Sequence, residues 1–282
     1  MNNVDLHTHS NKSDGSLSPT ELVFLADHIG LKAIALTDHD TVEGLDEAIA
    51  ASRQCNVELV PGVELSCDRN GKDVHIVGLY IDYKNQDFVN ELKEFVNSRE
   101  IRNKKMCKAL TDFGMPIDYD ELLSFCKESV ITRAHFARLL LAKGYIKSLK
   151  EAFDRYIGDD CPCYIPREKV SPARGIELIK KAGGIPILAH PLLLKMGKDA
   201  LDNVVSEMKE YGIMGLEAMY CTYTPSDERE MTALAKKYDL LLSGGSDFHG
   251  EAKPGLELGK GYGRLYIPEQ ILDTIKEARK TL

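Results

Sequence analysis

Histidines and carboxylates recur in this 282-residue sequence at the ends of apolar runs. The segment VDLHTH ends in His7 and His9, and LKAIALTDHD ends in Asp38, His39 and Asp40. Side chains alternate along a strand with a period of two, so an HxH pair directs both imidazoles to one side. Imidazole and carboxylate groups together are ligands that suit Zn²⁺, Mn²⁺ and iron, and the pattern therefore favours a metal centre.

The other candidate ligands also lie at or near the ends of predicted strands. They are Asp14, Glu64 after VPGV, His75 within DVHIVGLYI, His190 at the end of GIPILAH, and Asp247 and His249 in LLLSGGSDFH. A single histidine at a strand end is usually a packing or surface residue. Six of them accompanied by carboxylates are hard to explain in that way, because the carboxyl ends of parallel strands form the functional face of α/β folds.

The elements that must position these residues alternate between strand and helix over the first 80 residues. Strands are predicted at VDLHTH, KAIALT, VELVPGVELS and DVHIVGLYI, and helices separate the first three. Ser18, Pro19 and Glu21 form a predicted capping box with proline at the first helical position. The βαβα order predicts parallel strands with helices outside them.

The pattern changes to continuous helix between residues 85 and 168, and strands return at GIPILAH, IMGLEAM, LLLSGGSDFH and GRLYIP. Residues 84–168 contain 15 basic and 14 acidic side chains, whereas the rest of the chain contains 21 and 30. The sequence therefore predicts one α/β domain, residues 1–84 and 169–282, that is interrupted by an all-helical insertion at 85–168.

Composition limits the classes of protein that fit this chain. The net charge of −8 disfavours a surface that coats nucleic acid, and charges break every apolar run before the roughly 20 residues of a membrane span. No signal peptide is evident, and seven scattered cysteines favour free thiols and a cytoplasmic location. Cys161 and Cys163 are interpreted as partly buried loop thiols rather than as a metal or redox site.

The ordered motifs HTHSNKSDG, TDHDTVEG, PGVELS, VHIVGL, LAHP and GSDFH resemble the polymerase-and-histidinol-phosphatase (PHP) superfamily. The resemblance runs from end to end and includes TRAHFARLLL in the insertion. It is closest to stand-alone phosphoesterases that act on nucleoside 3′,5′-bisphosphates or degrade RNA from its 5′ end. It implies a distorted, TIM-like (β/α)7 barrel with up to three divalent metal ions (Mn²⁺, Fe²⁺ or Zn²⁺), covered by the helical insertion.

The resemblance also implies a role for each candidate residue. One ion would be bound by His7, His9, Glu64 and Asp247, a second by Glu64, His75 and His190, and a third by Asp14, His39 and His249. Some relatives have histidine where this chain has Asp14, so we expect the third site to bind more weakly or to prefer a harder ion. A metal-bridging water held at Glu64 would attack phosphorus in line. Asp38 and Asp40 are expected to orient histidine ligands from outside the cluster.

Arg133 and His135 lie in the first turn of the predicted helix TRAHFARLLLAKG, which Thr132 is expected to cap. Free N–H groups and the helix dipole favour a phosphate at such a position. With the resemblance, this predicts that both residues bind the substrate phosphate that is not cleaved. The alternative is an exposed helix start with solvated charges.

A basic run on the first predicted insertion helix has two interpretations. It comprises Arg99, Arg102, Lys104, Lys105 and Lys108. The run is either a solvated helix face or a track for the phosphates of a short oligonucleotide. Few aromatic residues lie nearby, so no stacking platform is evident in the sequence.

Two activities on nucleotides fit these expectations. One removes the 3′-phosphate of nucleoside 3′,5′-bisphosphates, and the other cleaves short 5′-phosphorylated RNA exonucleolytically from the 5′ end. The expected partner is thus a nucleotide or short oligoribonucleotide substrate, with no membrane and no stable DNA or RNA partner. The main alternative is a histidinol-phosphate phosphatase, which TRAHFAR disfavours. An amidohydrolase is disfavoured by PGVE and GSDFH, and a non-catalytic PHP module by the complete ligand set.

Overall fold

The computed structural model describes residues 3–126, 130–166 and 170–281. Within these ranges seven strands form one sheet in chain order: β1 (Val4–Thr8), β2 (Ala33–Leu36), β3 (Glu58–Arg69), β4 (Lys72–Leu79), β5 (Ile185–Leu188), β6 (Gly215–Tyr220) and β7 (Leu241–Gly245). The residues after β7 return to β1, where the Asp247 N–H donates to the His7 carbonyl at 2.9 Å. The sheet is therefore a nearly closed seven-stranded barrel, and the predicted distorted (β/α)7 fold is confirmed.

Helices surround the barrel and form the insertion. In chain order they are α1 (Pro19–His28), α2 (Leu45–Ser52), α3 (Gln86–Asp112), α4 (Tyr119–Cys126), α5 (Arg133–Ala142), α6 (Leu149–Ala152), α7 (Pro172–Lys181), α8 (Lys198–Tyr211), α9 (Pro225–Lys237) and α10 (Glu269–Arg279). Ser18 and Glu21 form the predicted capping box of α1. None of the helices in the described ranges is both long and apolar enough to cross a membrane.

One strand runs against its neighbours, which corrects the expectation of a parallel barrel. β4 is antiparallel to both β3 and β5, while the other neighbouring strands are parallel. The β3–β4 loop is Asn70-Gly71, and both residues have positive φ (54° and 83°). An Asn-Gly pair favours this type I′ hairpin geometry. Because β4 is reversed, its first half lies at the barrel end where the parallel strands finish, and His75 joins the other ligands there.

The predicted strand GRLYIP is wrong. Residues 263–268 form no strand, although Val4 N–H donates to the Ile267 carbonyl at 3.0 Å and Asn3 forms an isolated bridge with Pro268. Proline has no N–H to donate, so the pairing cannot continue as a ladder. The segment instead contributes Leu265 and Ile267 to an apolar core that is shared by barrel strands and helix α10.

Helix α3 belongs to both regions of the molecule. Its first half buries Phe88 and Phe95 against the core around the barrel, and its second half buries Met106 and Leu110 in a separate helical core with α4 and α5. The predicted end of the insertion at residue 168 lies outside the described residues. The division at residues 84 and 85 stays a prediction, since α3 packs on both sides of it.

The close approach of β7 to β1 depends on Gly245. A Cβ atom at this position would lie 2.2 Å from the Cβ of His7 and 2.7 Å from its backbone nitrogen. Real Cβ atoms do not approach so closely, and backbone atoms cannot yield as a flexible side chain can. A residue without a side chain is therefore required where the barrel closes beside a candidate ligand.

The cysteines carry free thiols, and Cys161 and Cys163 form no disulfide. Cys163 is buried in the helical core, with its Sγ 3.7 Å from the Ala109 carbonyl, whereas Cys161 is partly exposed in the same loop. These positions agree with their interpretation as partly buried loop thiols.

Candidate metal centre

Nine side chains converge at one end of the barrel. They lie on the strands at that end or in the loops that follow the strands. β1 carries His7, and the residues that follow it carry His9 and Asp14. The remaining six are His39 after β2, Glu64 on β3, His75 on β4, His190 after β5, and Asp247 and His249 after β7. All nine predicted ligands belong to groups whose nitrogen or oxygen atoms lie within 4.8 Å of one another.

The first group surrounds the HxH pair of β1. His7 Nε2 lies 3.1 Å from His9 Nε2 and 3.3 Å from Glu64 Oε2. His9 Nε2 is also 3.3 Å from both Glu64 Oε2 and Asp247 Oδ1. The donor atoms of these four residues thus face a common point, as the ligands of one cation do.

Glu64 also faces the second group with its other oxygen. Oε1 lies 2.9 Å from His75 Nδ1 and 3.0 Å from His190 Nε2. The carboxylate is buried between the two groups, which is the arrangement of a bridging ligand.

The third group is built around Asp14. Its Oδ1 lies 3.1 Å from His249 Nε2, and its Oδ2 lies 3.8 Å from His39 Nε2. His9 stacks on His249 with ring centroids 4.2 Å apart, which joins this group to the first. The assignment of particular residues to particular ions stays a prediction.

The donor set fits bound cations better than it fits a network of hydrogen bonds. His39 Nδ1 is buried without a hydrogen-bond partner in the described ranges, although Glu64 Oε2 lies 3.0 Å away. Burial raises the pKa of Glu64 and Asp14, but the histidines around them outweigh burial and hold each pKa well below its usual range. Anionic carboxylates and an unpartnered imidazole nitrogen suit divalent Mn, Fe or Zn ions.

A buried carboxylate that the sequence analysis missed orients two of the ligands. Glu217 of β6 places Oε1 2.8 Å from His7 Nδ1, and its Oε2 accepts from the His190 N–H at 2.7 Å. A hydrogen bond at Nδ1 leaves the Nε2 of His7 to face the ligand group. The available signal was an acidic residue within the apolar strand IMGLEAM, because a buried charge requires a partner.

Asp38 acts on the cluster through a serine. Its Oδ1 accepts from the Ser13 hydroxyl at 2.6 Å, and the same hydroxyl lies 3.5 Å from His9 Nδ1. Asp38 also accepts from the Ser10 N–H at 2.8 Å, so it shapes the loop that follows β1. Its contact with the histidine is therefore indirect.

Asp40 links the barrel to helix α3 of the insertion. Arg99 of α3 donates from Nε to Asp40 Oδ2 at 2.9 Å, and the Ser66 N–H donates to Oδ1 at 3.0 Å. The ion pair is buried, and Arg99 also donates to the Ser66 hydroxyl at 2.8 Å. Asp40 thus fastens the insertion to the barrel, and its expected role in orienting a histidine stays a prediction.

Asp247 has two further partners that the sequence analysis did not identify. The Tyr220 hydroxyl donates to Asp247 Oδ2 at 2.7 Å, and Lys253 Nζ lies 2.5 Å from the same oxygen. The Lys253 side chain remains about one-third exposed and lines the cavity over the cluster. It adds a cation from the barrel side of the site.

Arg133 lies at the start of α5, which Thr132 caps as predicted. Its guanidinium binds two carboxylates, with Nη2 2.8 Å from Asp73 and Nη1 2.7 Å from Asp159. The same group lies over the ring of Tyr164, 5.1 Å from its centroid. Arg133 lines the cavity over the metal ligands, and a phosphate there would take the place of a carboxylate.

His135 takes part in capping helix α5, and its expected role in phosphate binding stays a prediction. Its Nδ1 accepts from the Thr132 N–H at 3.0 Å and completes a capping box. Burial lowers the pKa of His135 to about 4, so the ring is neutral at pH 7 and offers no charge to a phosphate. It lines a smaller cavity with Asn11 and Cys126, on another side of α5.

The basic run of α3 is not a uniform solvated face. Arg99 and Arg102 are buried, whereas Lys104 and Lys108 are exposed and pair with acidic residues one turn away. The two arginines line the cavity over the metal ligands. The predicted track is therefore divided between the cavity and the outer surface.

One cavity of about 380 Å³ joins the metal ligands to the insertion. The insertion contributes four arginines to its wall: Arg99, Arg102, Arg133 and Arg138. The volume is within the range of small-molecule sites, and the cationic wall faces the floor of metal ligands. The cavity therefore suits an anionic ligand with negative charge at both ends.

A barrel that brings nine candidate metal ligands under a cationic helical cover is the architecture of a metal-dependent hydrolase. The family described as PHP domain matches residues 5–158, and the chain belongs to this family.

Named relatives extend the likeness over nearly the whole chain. A 5′-3′ exoribonuclease of Haemophilus influenzae is 39% identical over 257 residues, which cover 91% of this chain and 93% of that protein. A 3′,5′-nucleoside bisphosphate phosphatase of Chromobacterium violaceum is 33% identical, covering 92% and 91%. A solved structure from Chromobacterium violaceum, described as an amidohydrolase with bound sulfate and no metal, has a TM-score of 0.86 at 31% identity and covers 98% and 96%.

Proposed function

We propose that this protein is a metal-dependent phosphoesterase that removes the 3′-phosphate of nucleoside 3′,5′-bisphosphates and cleaves short 5′-phosphorylated RNA from the 5′ end. The observation that carries the proposal is the single cavity with metal ligands on its floor and four arginines in its wall. The proposal is supported by the two named relatives, which are described as a 5′-3′ exoribonuclease and a 3′,5′-nucleoside bisphosphate phosphatase.

The nine clustered ligands hold up to three divalent ions in this proposal, with Glu64 shared between groups. Such ions supply an acidified water and neutralise charge on a phosphate. Mn²⁺, Fe²⁺ and Zn²⁺ all suit the nitrogen and oxygen donors.

Arg133 holds the phosphate that is not cleaved. It releases Asp73 or Asp159 and forms the same paired hydrogen bonds with phosphate oxygens. When Arg133 holds that phosphate, the other phosphate lies over the cluster of metal ligands. A fixed position of the reacting phosphate lowers the barrier to reaction more than tighter binding alone would.

The two activities require only one arrangement of the substrate. In both, the 5′-phosphate lies at Arg133, and the bond that breaks joins phosphorus to the 3′-oxygen of the same nucleotide. RNA differs in carrying the remainder of the chain on the cleaved phosphate, which must leave through the cavity mouth. The oligonucleotide is therefore a substrate, and no stable complex with RNA or DNA is expected.

The alternative functions use less of the cavity. Histidinol phosphate has one phosphate, so it could not place one phosphate at the metal ligands and a second at Arg133. An amidohydrolase substrate is uncharged at the reacting group and would leave the cations of the insertion unused. A non-catalytic module would not require a convergent set of nine ligands.

A phosphate-release assay on Mn²⁺-loaded protein tests the proposal. The substrates are adenosine 3′,5′-bisphosphate, 5′-AMP, histidinol phosphate and a 5′-phosphorylated RNA oligomer. We expect kcat/KM for the bisphosphate to exceed that for 5′-AMP by at least about tenfold, since charge-assisted bonds to a second phosphate contribute roughly 1.5–3 kcal/mol. Preference for histidinol phosphate would refute the substrate assignment, and inactivity on every phosphoester would refute the enzyme class.

The cytoplasmic location stays a prediction.

A further inference from the structure

Two exposed apolar side chains stand in the wall of the same cavity. Phe153 is 36% exposed and Leu193 is 46% exposed, and both line the cavity over the metal ligands. Phe153 comes from the insertion, and Leu193 comes from the segment that follows β5 and the ligand His190. Large apolar surface left open inside a catalytic cavity indicates contact with an apolar part of the ligand.

Both side chains project from regular helical turns of the backbone. Phe153 begins a π-helical turn (Phe153–Ile157), a rare element that is frequent at functional sites. Leu193 lies in a 3₁₀ turn (Pro191–Leu194), where its N–H donates to the His190 carbonyl at 2.9 Å. Phe153 and Leu193 therefore belong to ordered turns that form part of the cavity wall.

Phe153 also lies beside the expected position of the uncleaved phosphate. The Arg133 guanidinium carbon is 6.0 Å from the centroid of the Phe153 ring. In a nucleotide, the base is one ribose away from the 5′-phosphate. A nucleotide whose phosphate is at Arg133 thus has an aromatic ring within reach of its base.

Polar groups that could distinguish one base from another are engaged elsewhere. The Thr132 hydroxyl donates to Asp14 at 2.7 Å, and the Ser66 hydroxyl accepts from Arg99 at 2.8 Å. Among the described residues that line the cavity there is no Asn or Gln, the side chains that pair with adenine. Arginine and lysine pair with guanine, but Arg102, Arg138 and Lys150 already donate to protein groups. Stacking without edge contacts tolerates every base, because each base has a π-face.

We propose that Phe153 and Leu193 form a nucleobase site that binds the base of the substrate by stacking and accepts all four bases. This inference rests on the proposed function. In this proposal Phe153 and Leu193 make the enzyme prefer nucleotides to bisphosphates that lack a base. Arg133 binds only the uncleaved phosphate.

The test compares substrates with and without a base. The substrates are deoxyadenosine and deoxycytidine 3′,5′-bisphosphate and the abasic tetrahydrofuran 3′,5′-bisphosphate, which keeps both phosphates. Wild-type protein should favour the two nucleosides over the abasic compound and hydrolyse them with kcat/KM values within about tenfold of each other. Phe153→Ala should lower kcat/KM for the nucleosides by about 5- to 100-fold, mainly through KM, and leave the abasic compound unchanged.

Three further variants sharpen the test. Phe153→Trp should restore nucleoside hydrolysis, and Leu193→Ala should reproduce a smaller part of the Phe153→Ala loss. Phe113→Ala is the matched control, since Phe113 is 52% exposed in the insertion and lies at the end of α3 against Tyr156. Circular dichroism and a thermal melt establish that each variant is folded.

Each outcome has a defined meaning. If Phe153→Ala lowers the abasic and nucleoside rates equally, the ring acts by supporting Arg133 and the nucleobase site is refuted. No change for any substrate refutes it as well, and a large difference between the two bases refutes the acceptance of all bases. If wild-type protein hydrolyses none of the bisphosphates, the proposed function itself fails.

Discussion

The barrel end and the helical insertion contribute opposite chemistry to one cavity. All nine candidate metal ligands come from the barrel strands and their loops. The insertion contributes the four arginines and Phe153, which occupy the opposite wall. The barrel is thus suited to the reaction at phosphorus, and the insertion is suited to the choice of substrate. Changes in the two regions should separate these effects.

The largest effect is expected from Glu64→Gln in the barrel. Loss of one carboxylate charge removes the ligand shared between groups, and turnover should fall by at least about 100-fold, beyond the 10–100-fold typical of groups that only support a ligand. The measurements are kcat and bound metal per chain. Glu58→Gln is the control on the same strand, since Glu58 bonds to Tyr80 and Lys276 instead. Unchanged metal content with near-native turnover would refute the bridging role.

The link between the two regions is tested by Arg99→Met. The change removes the guanidinium partner of buried Asp40 and should lower the free energy of unfolding by about 3–5 kcal/mol. Urea unfolding with and without metal measures it. Lys84→Met removes an exposed partner of Asp46 and should have little effect. Equal stability of the Arg99 variant and the wild type would mean that the insertion is held by other contacts.

Glu217→Gln tests the support of the metal ligands. A neutral amide no longer fixes the His7 ring as a carboxylate does, so metal affinity should fall by about 10–100-fold. Metal retained after dialysis against a graded series of chelator concentrations gives the affinity without an activity assay. Glu210→Gln on the exposed face of α8 should retain metal like the wild type. Identical retention by the Glu217 variant would assign the carboxylate a role in folding alone.

Arg133→Met should separate substrate choice from chemistry. It removes charge-assisted bonds to the uncleaved phosphate, so kcat/KM for a bisphosphate should fall by about 10–100-fold. Hydrolysis of a simple monoester should change little, because the metal ligands are intact. Arg155→Met provides the matched control, since Arg155 pairs with Glu151 on the surface. Equal losses on both substrates would place Arg133 in the chemistry or in the fold.

The smallest effect is expected from His135→Gln. Glutamine also completes a capping box, so the thermal stability should change little. The kcat/KM for the bisphosphate should remain within about twofold of the wild-type value. Thermal melting and the phosphate-release assay check both. A tenfold loss of bisphosphate hydrolysis with unchanged stability would return His135 to the phosphate site.

Much of the barrel site was predictable from the sequence because its signals are local. The HxH period, the capping boxes at Ser18 and Thr132, and histidines at strand ends follow from backbone geometry within a few residues. The Asn70-Gly71 pair is an equally local signal, which favours an antiparallel hairpin.

What the sequence alone determined is therefore the kind of chemistry: a set of nitrogen and oxygen ligands on strand ends under a helical insertion. Tertiary structure decided which groups support and surround them. Glu217 meets His7 across 210 positions, and Arg99 meets Asp40 across 59. No periodicity connects residues so far apart, because only the closure of the barrel and the docking of α3 bring them into contact. The tertiary structure also shows that His135 caps helix α5 and that Phe153 is exposed to the cavity.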